Sequence, residues 1–205
     1  MHTRLMPLMG LALFLAGCAS SGPQPPAHID AFTGLYNRSA DGIPSDRPVR
    51  VEAPAAIILS DNFENWFKYV EDSNAYWGKI VPASLTNTVV MADTHPLFIS
   101  ARVLETLKRR FPTAEVVNDF PQAVATGKKA VLLVDLRAKP LEPYGDRTTR
   151  IGFDVFFFDA AMNPVSRMSG DGALYRPIGA LDAGIQSATD TALAQLETKF
   201  QALVR

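Results

Sequence analysis

Apolar residues recur along this chain in short blocks, and the period within each block predicts an element. "RVEAPAAIIL", residues 50–59, ends in a β-favouring apolar run and predicts a first strand. In "SDNFENWFKYVED", Phe63, Trp66, Phe67 and Val70 fall at the spacing of one helical face, and Asp61 and Glu64 stand at capping-box spacing. A short helix over about 62–71 is expected. Val89 to Ala92 has the length of another strand; Asp93-Thr94 then offers a helix cap and Pro96 a first-turn residue. Leu97, Ala101, Leu104, Leu107 and Phe111 continue at helical spacing until Pro112 stops the pattern. "AEVVND" predicts a short strand, Asn118-Asp119 a cap, "FPQAVATG" a brief helix ended by Gly127, and "KKAVLLVDLR" a buried strand of continuous apolar residues.

Beyond this βαβαβ stretch the period changes. "TTRIGFDVFFFD" and "VSRMSGDGALY" read as strands joined by "AAMNP", whose Asn and Pro are turn residues, so an antiparallel hairpin is expected. Alternation puts Ile151, Phe153, Val155 and Phe157 on one face and Arg150, Asp154, Phe156 and Phe158 on the other. Leu181, Ile185, Ala188, Ala192, Leu196, Phe200 and Leu203 then advance in steps of three or four, a long amphipathic C-terminal helix whose other face carries Asp182, Gln186, Asp190, Gln195 and Glu197. The fold class that buries these stripes most simply is α+β: a two-layer mixed sheet of about five or six strands, with the hairpin, packed by helices mainly on one face.

The ends follow different rules. Arg4 precedes an apolar run from Leu5 to Leu15, too short to span a bilayer, and small residues follow. Residues 1–17 therefore read as a cleaved signal segment, 18–48 as a tether and irregular segment, and 49–205 as a single α/β domain. Cleavage leaves 188 residues with 19 basic and 21 acidic side chains, a net charge of −2 that gives no electrostatic basis for binding nucleic acid. "ASSGPQPPA", residues 19–27, has linker composition.

Cys18 is the only cysteine, so it has no partner within the chain. Leu15, Ala16, Gly17 and Cys18 resemble the lipobox of bacterial lipoproteins. The resemblance implies that the Cys18 thiol receives a diacylglyceryl group, that cleavage falls before it, and that the new amine is acylated; several acyl chains anchor a protein stably. Ala19 and Ser20 stand where lipoproteins kept at an inner membrane often carry Asp, so outer-membrane attachment facing the periplasm is implied. The order of elements behind this motif is similar in outline to compact α/β lipoproteins of the Gram-negative envelope, such as the N-terminal domain of TolB and the lipoprotein activators of penicillin-binding proteins.

Catalytic motifs are sparse: no Gly-x-Ser-x-Gly, Walker loop or His-Glu-x-x-His occurs. His95 reads as a first-turn surface residue, and Gly170-Asp171-Gly172 as bulge or close-packing glycines. No cofactor, metal site or catalytic residue is assigned. Asp135 is a candidate buried carboxylate that Asp154, Asp159 and Asp171 approach across the sheet; Arg137, Arg147, Arg150 and Arg167 nearby favour ordinary ion pairing.

Three functions are compatible with these features. The leading one is a non-catalytic accessory or scaffold, lipid-anchored to the membrane, that docks on a protein partner in an envelope machine through Phe156 and Phe158 rimmed by Arg150, Asp154 and Arg167, if that face is uncovered. The second is a binder of lipid or another small apolar ligand in a groove lined by Tyr69, Tyr76 and Trp77. The third is an enzyme using the Asp135 carboxylates.

Overall fold

The computed structural model describes residues 22–32, 42–80, 95–140, 145–177 and 184–205. Its five-stranded sheet has the order β2-β1-β3-β4-β5, where β1 is Ala55–Leu59, β2 Glu115–Val116, β3 Ala130–Lys139, β4 Thr148–Phe158 and β5 Pro164–Tyr175. β1 runs parallel to β2 and β3, whereas β4 is antiparallel to both β3 and β5, so the sheet is mixed as expected. The helices are α1 (Asp61–Ile80), α2 (Phe98–Arg110), α3 (Phe120–Ala125) and α4 (Ile185–Leu203).

Register divides the apolar residues between two faces. Leu132, Val134 and Leu136 of β3 stand opposite Phe157, Val155 and Phe153 of β4, and α1, α2 and α4 bury this first face with Phe63, Trp66, Ile99, Val103, Leu107, Ala192, Leu196 and Phe200. Small residues let α4 come close: it lies over Gly170 and Gly172 of β5, as the close-packing reading of these glycines anticipated.

Two helical details differ from the sequence reading. α1 runs to Ile80, nine residues beyond the expected end at Glu71, and Asp61 and Glu64 both lie in its first turn, where the helix dipole favours acidic side chains. α2 buries Ile99, Val103, Thr106 and Leu107, while Leu97 and Ala101 are exposed. Two apolar series with fourfold spacing overlap in this segment, and packing on the sheet selects the one starting at Ile99. The start of α2 is closed by His95, whose carbonyl accepts from the Phe98 N–H at 2.8 Å and whose Nδ1 accepts from the Leu97 N–H at 3.2 Å. α3 begins as expected, with the Asp119 carboxylate accepting from the Gln122 N–H at 2.7 Å. The expected strand at Val89–Ala92, the Asp93-Thr94 cap, Leu181 and the lipobox residues Leu15 to Cys18 lie outside the described residues.

Residues 28–32 and 42–48, expected to be irregular and only partly ordered, pack on the domain. Pro44 and Asp46 bond to Arg167 on the outer edge of β5, with Arg167 N–H donating to the Pro44 carbonyl at 2.9 Å and Asp46 N–H to the Arg167 carbonyl at 2.8 Å. Val49 pairs with the end of the chain, donating to Leu203 and accepting from Arg205. An open edge strand invites unwanted pairing, and here one stretch of it is occupied by the chain itself.

Candidate functional site

The second face of the sheet carries the residues singled out as candidates, because β3 and β4 alternate with the same phase. Val131, Leu133 and Asp135 lie opposite Phe158, Phe156 and Asp154. Apolar and charged residues thus share one face, apolar toward the start of β3 and charged toward its end.

The apolar half is covered. Phe32 seats its ring 4.6 Å from Phe156, edge to face, and 5.9 Å from Phe158, nearly parallel, and Phe120 of α3 meets Phe158 edge-on at 4.8 Å. Phe156 is 3 % exposed and Phe158 2 %. The docking patch required this face to be uncovered, and it is covered, by the 28–48 segment and a helix: two apolar rings side by side on a sheet are worth several kcal/mol when buried, about 1.5–3 kcal/mol each, and Phe32 and α3 supply the cover. Of the expected rim, Arg167 lies over the Phe156 ring at 5.6 Å and pairs with Asp154, while Arg150 turns away to pair with Asp146.

The charged half holds two carboxylates side by side, each with its own partners. Like charges directly opposite one another on adjacent strands repel, and each is compensated separately. Asp154, 3 % exposed, accepts from Arg137 Nε at 2.9 Å, from Arg167 Nε at 3.2 Å and from the Ser169 hydroxyl. Burial pushes its carboxyl upward, but the Ser169 hydroxyl and the two guanidinium groups outweigh that and hold it below the usual carboxylate value. Arg137 also reaches Asp171 at 2.8 Å, crossing Gly152, where a side chain would collide with it.

Asp135 is also 3 % exposed, and among the described residues no arginine pairs with it. Its Oδ1 accepts from the Ser60 hydroxyl at 2.5 Å and from Asn62 Nδ2 at 2.7 Å, and His28 Nε2 lies 2.7 Å from its Oδ2. Ser60 stands in the turn between β1 and α1 and Asn62 in the first turn of α1, while His28 comes from the N-terminal segment. Asn62 does more: its amide pairs with the backbone of Ile29, donating to the carbonyl at 2.6 Å and accepting from the N–H at 3.0 Å. Nothing in the sequence pattern marked Asn62 or His28 as partners of Asp135, because they lie 73 and 107 residues away in the chain. Asp159 is not part of the group; it closes the hairpin turn by accepting from Ala161 and Asn163.

The second set of candidates lies on α1. Tyr69 packs against Trp66 at 5.3 Å and against the first-face core, and burial pushes its phenol above the usual value, opposed by a hydrogen bond with Ser73. Tyr76 is half-buried two turns further on, and the side chain of Trp77 lies outside the described residues. Recesses among the described residues are found elsewhere, one of them between α2 and α4 beside Arg109, Glu197 and Phe200. Among the described residues no group of three or more His, Cys, Asp or Glu side chains is placed to hold a metal, and no helix is long and apolar enough to cross a membrane.

No protein-family profile and no curated protein matches the chain in sequence. Among solved structures, the PelC dodecamer from Paraburkholderia phytofirmans in space group P6 is similar at 11 % identity and a TM-score of 0.41, over 78 % of this chain and 94 % of that one. A point variant of the same dodecamer in space group C2 is similar at 12 % identity and a TM-score of 0.36, over 56 % of this chain and 80 % of that one. These values describe a remote likeness in shape and carry no argument about function or assembly.

Proposed function

We propose that the chain is a non-catalytic accessory or scaffold protein, held at the periplasmic side of the outer membrane by acyl groups on Cys18, that docks on a protein of a cell-envelope machine. The observation that supports this reading most is where the chain enters the fold. His28 to Phe32 are bound to the sheet, so only the residues from Cys18 to Ala27 separate the anchor from the folded domain. At 3.3–3.6 Å per extended residue that link reaches about 35 Å, and such a short tether raises the concentration of the domain near anything in or on the same membrane. The buried carboxylates fit the same reading, since both are bound up in contacts that hold elements together.

The test is a photo-crosslinker at Tyr175, which is 65 % exposed at the end of β5. In intact cells it is expected to yield a discrete adduct with an envelope protein, and a Cys18→Ser background is expected to lose it. A Tyr175 variant that is membrane-bound and folded yet captures no protein would remove the proposal.

A further inference from the structure

We infer that the face under residues 28–32 is a peptide-docking groove, occupied in the resting chain by its own N-terminal segment and available to an extended segment of a partner when that segment leaves. The groove reads three features in five residues. Asp135 takes a hydrogen-bond donor at the first position, His28. Asn62 pairs with both backbone groups of the second, Ile29, as a neighbouring strand would. The slot beside Phe156 and Phe158 takes the ring of the fifth, Phe32.

Two of these readers are polar side chains more than nine-tenths buried, Asp135 on β3 and Asn62 at the start of α1, and both bond to the segment. The segment contributes its own shape, because Asp30 accepts from the Phe32 N–H at 2.8 Å and so turns the ring inward. The Ile29 side chain is exposed, which leaves the second position unread except through its backbone.

Replacement is favoured by how the segment is held. It lies outside any strand or helix, and His28 and Ile29 are bound by side chains, where a ladder of backbone bonds would resist exchange. Of its five residues only Phe32 is buried, so one ring supplies most of the apolar contact. The occupant that fits is an extended peptide with a side-chain donor followed four residues later by an aromatic ring. Its source as a partner rests on the accessory reading, while the groove and its exchange do not.

A fluorescent peptide spanning Gln24 to Phe32 tests this against the full-length protein in detergent micelles. The Phe32→Ala variant is expected to bind it saturably, and the native chain about tenfold or more weakly, because its own segment competes. Adding Asn62→Ala to Phe32→Ala is expected to abolish binding. Failure to bind Phe32→Ala protein that still unfolds cooperatively, or equal binding with and without Asn62, overturns the inference. If Phe32→Ala does not fold, amide hydrogen exchange of the native chain decides: the Ile29 and Phe32 amides are expected to exchange through a local opening far more often than those of β3. Protection equal to that of β3 overturns it. Peptide binding without a Tyr175 adduct removes the accessory reading and leaves the groove; an adduct without peptide binding does the reverse.

Discussion

The Ala188 carbonyl oxygen lies so close over Gly172 that a β-carbon there would sit 1.8 Å from it. Gly170, two residues back, meets the Ala192 carbonyl oxygen in the same way at 2.2 Å. Backbone against backbone leaves no flexible side chain to yield, so α4 must shift. Gly172→Ala and Gly170→Ala are each expected to lower stability in urea denaturation by about 3 kcal/mol or more, at or above the upper end of ordinary overpacking. At Gly152, by contrast, the obstructing atoms are the ends of Arg137 and Asp171, which can swing away, and Gly152→Ala is expected to cost less.

The carboxyl of Asp154 is held below its usual value, so its contribution to stability has a definite sign with pH. A depressed carboxylate stabilises the fold fully above its unfolded value of about 4 and loses that contribution as pH falls through the folded value. Acid titration of the unfolding free energy is expected to show this loss below about pH 4 in the native chain. Asp154→Asn is expected to flatten that part of the profile and to cost about 1–3 kcal/mol at neutral pH, the range for a charged hydrogen-bonded group whose arginine partners keep some access to water.

α2 and α4 are joined by two ion pairs, Arg102 with Asp190 at 2.9 Å and Arg109 with Glu197 at 2.6 Å, two helical turns apart. All four side chains are well exposed. A double-mutant cycle on Arg109 and Glu197 is expected to give a coupling below about 1 kcal/mol, weakening further in high salt.

Cys18→Ser is expected to block incorporation of labelled lipid and leave uncleaved or mislocalised precursor. Pulse labelling in cells measures this directly, and normal incorporation in the variant contradicts the lipobox reading.

Much of the architecture was legible in the chain because it depends on period. Alternation in "TRIGFDVFFF" named both faces of β4 correctly, and threefold and fourfold steps named the buried stripe of α4 from Ile185 to Phe200. Asp119 and Gly127 marked the ends of α3 because a cap and a left-handed residue are local devices. Where two periods competed, as with Leu97 against Ile99 in α2, local spacing had no means of choosing.

The chain alone therefore determined the hairpin, the two faces of β4 and the ends of α3, all of which rest on residues adjacent or one turn apart. Tertiary structure decided what lies on those faces. That Phe156 and Phe158 are covered depends on Phe32, more than 120 residues earlier, and the bonds of Asp135 depend on Ser60, Asn62 and His28. Burial is a property of what packs against a residue, and a period specifies the face while leaving its partner to the folding of the whole chain.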